Sequence, residues 1–334
     1  MQSADPLAWL VENGKCSEQQ RREWERTQGD EWPELSRYDL LELLGEGGSA
    51  RVFRATDKVD GNTLALKILR AEIAEDPAQV ESFVREARLL LDLQHDHLVK
   101  GVRVAKEGGT FFFAMEELSG HCLQDLLGES GRLDEVTALE VVLQVASALE
   151  ALHERGLVHR DVKPGNIIWS QERGAVLIDL GFAVPRAATA QSGETTAGTV
   201  HYIAPEQAKG SAELDVRADI YALGATLYHL VTGSLPFDGA SNHEVLAKQV
   251  LESLSGERIR DLGLSPQVHY FIEKMMAKER EIRFQDPQQL QRELRQWLDA
   301  QKAQRELEEQ ARSRKPKLGS RGSMFERRRR PRRS

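Results

Sequence analysis

The sequence predicts an α+β chain in two lobes, a strand-built first lobe followed by a mainly helical second one. Two observations carry this. Between Tyr38 and Met115 short apolar runs alternate with Gly- and Asn-rich turns, the mark of successive antiparallel strands. From Leu133 onward apolar residues recur at three and four, the period of buried helices. Strands first and helices second define the α+β class, and 334 residues are enough for two cores. The expected division is an N-terminal helical extension over 1–37, the two lobes over 38–298, and a charged helix with a basic disordered tail over 299–334. Within 38–298 the lobes span 38–115 and 121–298, joined by a connector at 116–120.

Composition narrows the class further. Apolar residues make up 40% and charged residues 29%, as in ordinary soluble proteins. The two cysteines, Cys16 and Cys122, lie far apart in no ligand spacing, which argues against a disulfide framework or a zinc site. No run of about 18 apolar residues is evident, so no membrane span is expected, and the N-terminus lacks the basic and apolar regions of a secretory signal. The expected location is cytoplasmic. The net charge of −8 is uneven: residues 312–334 hold eleven Lys/Arg and one Glu, leaving 34 basic against 52 acidic residues elsewhere. Such a tail is an interaction or autoregulatory feature. Anionic lipid (a peripheral membrane contact), nucleic acid and the chain's own acidic body are its candidate partners, beside a plain solvated tail.

The elements follow in order. Residues 1–36 combine an apolar cluster, Leu7, Trp9, Leu10 and Val11, with a capped polar helix from Ser17 to Trp24. They carry no chemistry, and packing on the body or holding a partner is expected of them. Strand signals begin at Tyr38 and lead into Gly45-Glu46-Gly47-Gly48-Ser49-Ala50-Arg51-Val52, then a second strand. The glycines suit an ordinary hairpin or a backbone that approaches phosphate oxygens. In the third strand, Thr63–Leu69, Lys67 stands among apolar residues, either meeting an anion or snorkelling from an edge. Residues 78–93 form an amphipathic helix with Val80, Phe83, Ala87, Leu90 and Leu91 on one face and Glu86 at its margin. Strands at Leu98–Val104 and Thr110–Met115 flank Gly108-Gly109. After the connector, Leu139 to Leu152 pack a buried helix.

That helix delivers the chain to His159-Arg160-Asp161-Val162-Lys163-Pro164-Gly165-Asn166. Pro164 and Gly165 place these side chains on a loop. Asp161 can accept a proton from a hydroxyl, Lys163 can neutralise developing negative charge, and the Asn166 oxygen can ligate a hard cation. A short strand, Val176–Ile178, then enters Asp179-Leu180-Gly181. A polar stretch from Ala187 to Thr199 precedes Ala204-Pro205-Glu206, and an apolar helix of about 13 residues starts at Asp219, too short to span a bilayer. Gln301–Arg312 reads as a helix polar on all sides.

Taken together, these stretches resemble the motifs of protein kinases, and in detail those of bacterial eukaryotic-like serine/threonine kinases. The match covers Tyr38 to Leu298 in seven ordered motifs. Ala50 replaces the third glycine of the Gly-rich loop, and Leu180 the phenylalanine of the D-F-G motif. The resemblance implies a two-lobed kinase fold, an antiparallel sheet with one helix in the N-lobe and a helical C-lobe, with ATP and Mg2+ (or Mn2+) in the cleft. It implies Asp161 as base, Lys163 on the moving phosphoryl group, Lys67 on the phosphates and Glu86 as its partner. Asn166 and Asp179 would hold the metal. Leu44, Gly45, Glu46, Gly47, Gly48, Val52, Ala65, Lys67, Glu116, Leu118 and Ile168 would line the nucleotide site, with Met115 behind the adenine. Thr195 and Thr196 become candidate phosphorylation sites, Arg160 their receiver, and Thr199 a neighbour of Asp161. Asp219 would cap the catalytic loop, and Arg283 would pair with Glu206. The implied partners are Ser/Thr-bearing protein substrates. A pseudokinase or ATP-binding scaffold is the competing expectation, against which Lys67, Asp161 and Asp179 are all present.

Overall fold

The computed structural model describes residues 32–185, 199–211, 213–254 and 263–314, the side chains of 184, 185, 199 and 309–314 excepted. Residues 1–31 of the expected 1–37 extension, the basic tail beyond Arg314, Thr195 and Thr196 lie outside the described residues.

Five strands make the first lobe: β1 (Tyr38–Glu46), β2 (Ala50–Asp57), β3 (Thr63–Leu69), β4 (Gly101–Glu107) and β5 (Thr110–Glu116). They pair antiparallel in the order β1-β2-β3-β5-β4. The register places Gly45 opposite Val52, Val52 opposite Lys67 and Lys67 opposite Phe113, while Ala65 faces Met115. One face of the sheet buries Phe53, Leu66, Ile68 and Phe112 with Leu35 and Tyr38, and Trp32 stands edge-on to Phe53 at 5.1 Å. Helix α1 (Pro77–Asp92) covers the other face. Asp76 caps it by accepting from the Ala78 N–H, and Pro77 occupies the first turn, where its missing donor costs nothing. Its buried stripe is Phe83, Glu86, Ala87 and Leu90, so Glu86 sits inside the apolar face and not at its margin. Gly101 lets β4 press on this helix, since a Cβ there would lie 2.8 Å from the Leu90 carbonyl carbon.

The second lobe runs through β6 (His121–Cys122), α2 (Leu123–Ser130), α3 (Glu135–Glu154), β7 (Leu157–Val158), β8 (Ile167–Ser170), β9 (Gly174–Leu177) and β10 (Val184–Pro185). Helices α4 (Pro205–Ala208), α5 (Val216–Thr232), α6 (Asn242–Leu251), α7 (Pro266–Met275) and α8 (Pro287–Arg314) complete it. α3 is the central beam, capped by Asp134 and packed against α5 and α8. α5 is buried nearly all round and ends at Gly233, whose φ of 70° suits a residue without a Cβ. The charged helix expected over Gln301–Arg312 is the continuation of α8.

Three sequence readings change. Leu98 and Val99 do not begin β4; they are buried, Leu98 bridges in parallel to Leu177, and the Val99 N–H donates to the Leu177 carbonyl at 2.9 Å. The apolar run that looked like the start of a strand is a clasp between lobes. α2 and β6 were not foreseen. The expectation that no segment is apolar enough to span a bilayer needs correcting at α3, which has the length and a mean hydropathy of 1.3. Half of that window is buried inside the protein, so α3 is a core helix here.

Candidate active site

The site begins with an ammonium in an apolar strand. Lys67 Nζ donates to Glu86 Oε1 at 2.6 Å and to Asp179 Oδ1 at 3.4 Å. Three elements supply these groups: β3, α1 and the turn after β9. Burial opposes the ammonium, but Asp179 and Glu86 outweigh it and hold Lys67 charged above its usual range. Burial also opposes the Asp179 carboxylate, yet Lys67 and the Gly181 N–H, which donates at 2.8 Å, keep it below the usual carboxylate range. Burial, with the Asp179 charge beside it, pushes Glu86 up against the pull of Lys67.

The catalytic-loop candidates are fixed by two neighbours. Asp219, at the start of α5, accepts from the His159 N–H at 2.8 Å and the Arg160 N–H at 2.7 Å. Arg160 takes a φ of 72°, rare for a side-chain-bearing residue, and these two bonds hold it there. Asp161 Oδ2 accepts from Lys163 Nζ at 2.7 Å and from Asn166 Nδ2 at 2.9 Å. Its Oδ1 is buried with no hydrogen-bond partner among the described residues. A buried acceptor left open is costly and needs a reason. The Asn166 carbonyl accepts from the Ile178 N–H at 3.0 Å, tying the loop to the strand that delivers Asp179.

The glycine-rich turn joins β1 to β2, and β2 pairs with the strand that carries Lys67. A Cβ at Gly45 or Gly48 would meet nothing within 4 Å, and neither residue has a positive φ. The fold itself therefore does not require glycine at either position, and the space is free for an incoming group. Ala50, in place of a third glycine, is buried at the start of β2. Glu46 contacts Arg70, Leu44 is exposed, and Val52 is half-buried beside Lys67 in the register. In the connector Leu118 is half-buried. The Glu116 carboxylate is engaged elsewhere, taking Arg173 Nη1 and Nη2 at 2.7 and 2.8 Å. Ile168 pairs with Cys122 in the small sheet of the second lobe. A cavity of about 720 Å³ on the outer side of α1, lined by Val80, Val84, Lys106 and Phe111 among others, contains none of these residues.

Lys67, Glu86 and Asp179 thus meet directly, and Asp161, Lys163 and Asn166 form a second knot one backbone bond away. Among the described residues no group of three or more His, Cys, Asp or Glu could hold a metal alone. Asp179 and Asn166 offer two hard oxygen donors, which fits magnesium, an ion usually bound by one or two protein groups together with phosphate and water. Arg160 is half-buried with its Nε unpartnered among the described residues. Asp219 and Arg283 make the contacts the motifs implied: Arg283 grips Glu206 with bonds of 2.7 and 2.9 Å. Sequence reading missed Arg173, the Arg54 bond to Glu117 at 2.5 Å, and Gln207, whose Nε2 donates to the Arg160 carbonyl at 3.1 Å. No local pattern marks such long-range polar pairs.

A sheet lobe with one helix, a helical lobe and this cleft between them define a protein kinase domain. The chain belongs to that family, whose sequence profile matches residues 38–295. It is similar to the serine/threonine-protein kinase PknB of Mycobacterium tuberculosis, 35% identical over 265 residues, 77% of this chain and 42% of that protein. A probable serine/threonine-protein kinase of Clostridium perfringens is 33% identical over 256 residues, 76% of this chain and 37% of that protein. A probable PknB of Corynebacterium glutamicum is 39% identical over 223 residues, 65% of this chain and 34% of that protein. The chain spans about two-fifths or less of each of these relatives.

Proposed function

We propose that this protein is a serine/threonine protein kinase that transfers the γ-phosphoryl group of ATP to hydroxyls of protein substrates. The single observation that carries the reading is the buried, unpartnered Oδ1 of Asp161, beside a knot where Lys67 meets Glu86 and Asp179. Asp161 Oδ1, buried and without a partner among the described residues, would take the proton of a substrate hydroxyl brought against it, while Oδ2 stays anchored. The hydroxyl oxygen bonds to the γ-phosphorus, the bond to the ADP oxygen breaks, and Lys163 offsets the charge in transit. Lys67, held extended by Glu86, meets the α and β phosphates, and Gly45, Gly47 and Gly48 leave room for them. Magnesium, or manganese in its stead, would be held by Asp179 and Asn166 and would neutralise phosphate charge. The backbones of Glu116 and Leu118 hold the adenine edge, and a cytoplasmic site of action follows from the need for ATP.

Regulation through Thr195 or Thr196 belongs to the same reading. It is supported by Arg160, whose unpartnered Nε suits a phosphate acceptor. Mass spectrometry of active enzyme tests it, and finding neither threonine modified removes that part.

The kinase reading is tested by incubating the purified chain with γ-labelled ATP, Mg2+ and a generic basic protein. Label on serine or threonine is expected. Nucleotide binding without any transfer, even after activation-segment phosphorylation, would leave a scaffold.

A further inference from the structure

We propose that Gln249 is a positioning residue for the protein substrate, fixing from helix α6 the backbone at Val200 and His201 beside the catalytic loop. The inference rests on the kinase reading above.

Gln249 is fully buried on the last turns of α6. Its Nε2 donates to the His201 carbonyl at 2.7 Å and the Val200 carbonyl at 3.3 Å, and its Oε1 accepts from the Tyr221 hydroxyl at 2.6 Å. Both amide hydrogens and the amide oxygen are therefore used. The relay goes on: Lys278 Nζ donates to the Tyr221 oxygen at 3.0 Å and to the Gln249 carbonyl at 2.8 Å, and stands 4.3 Å from the Phe237 ring centroid. Burial, with Arg283 adding, pulls the Lys278 ammonium down to about 8, as a desolvated cation of this kind should be. A buried amide and a half-buried ammonium where α5 and α6 meet cost more than apolar residues of the same size. Their geometry yields one thing that apolar packing could not, two fixed carbonyls at 200 and 201.

Those carbonyls belong to the segment that adjoins the catalytic loop. Gln207, five residues on from Tyr202, donates to the Arg160 carbonyl at 3.1 Å, one residue before Asp161. Tyr202 is held by His229 Nδ1 at 2.7 Å. A peptide that brings its hydroxyl to Asp161 Oδ1 must lay a flank along this segment. Fixing the segment in advance removes an ordering cost from peptide binding and leaves the chemical step alone.

The test uses the full chain with Gln249→Met, which keeps the volume, and Gln249→Glu, which keeps the acceptor and loses the donors. For both variants the expected result is a peptide KM raised about tenfold, as loss of two buried hydrogen bonds implies. The KM for ATP and kcat per folded enzyme should stay within about twofold, and amide exchange over 200–206 should quicken. An unchanged peptide KM overturns the proposal. So does a common loss in all parameters, which is what a merely structural residue would give. If the wild-type chain transfers no phosphate, the kinase reading falls on its own, and unaltered exchange at 200–206 would then sink the anchor as well.

Discussion

Arg283, among the largest fully buried side chains of the described residues, grips the Glu206 carboxylate through two parallel hydrogen bonds of 2.7 and 2.9 Å. The same guanidinium donates to the carbonyls of Ala277, Arg217 and Lys278 at 2.7, 2.9 and 3.1 Å. One side chain thus ties α4, α5 and the segment after α7. Replacing Arg283 by Met strands a buried carboxylate and the carbonyls together, and should cost about 3–5 kcal/mol of unfolding free energy. Adding Glu206→Gln to that variant should recover part of the loss. Denaturant titration of the two singles and the double checks both statements, and an additive cycle would contradict the pairing.

Gly48 separates folding from nucleotide binding. A Cβ there meets nothing within 4 Å. Gly48→Ala should therefore leave the melting temperature unchanged or raise stability by a few tenths up to about 1 kcal/mol, through the unfolded chain. The affinity for ATP should fall, because the new methyl occupies room kept for phosphate. Calorimetric titration with a non-hydrolysable ATP analogue, beside a melting curve, measures both.

His229 makes stability depend on pH. Burial, with His201 nearby, holds its imidazole below the ordinary value. The unfolded chain then binds more protons than the native one just below that ordinary value, so stability drops as the pH falls through the window. His95, also held low by burial, adds to the slope with the same sign. Denaturant unfolding between pH 7.5 and 5.5 should show a shallower loss in His229→Gln than in the wild type. Equal slopes would place the effect elsewhere.

Much of the candidate site is legible in residue patterns, for reasons that can be named. Lys67 stood out as a charge in an apolar strand, and Asp161, Lys163 and Asn166 as three polar groups on a loop made rigid by Pro164. Glu86 was named only through the resemblance to protein kinases, and its place inside the buried stripe of α1 shows only in three dimensions. Leu98 and Val99 misled because an apolar run looks the same whether it pairs in a sheet or clasps Leu177 across the lobes. Arg173 and Glu116, 57 residues apart, and Gln249 with His201, 48 apart, gave no signal at all. Single polar residues acquire such partners from packing, and periodicity does not encode them.

Asp161 carries the proposed proton transfer: its Oδ2 is anchored, and its buried Oδ1 has no hydrogen-bond partner among the described residues. The most direct measurement compares phosphoryl transfer and ATP binding in the wild type and in Asp161→Asn, which keeps the shape and removes the base. Turnover should fall about 10²–10⁴-fold, the usual worth of a positioned general base, with the ATP dissociation constant nearly unchanged. A variant that turns over at the wild-type rate would contradict the account.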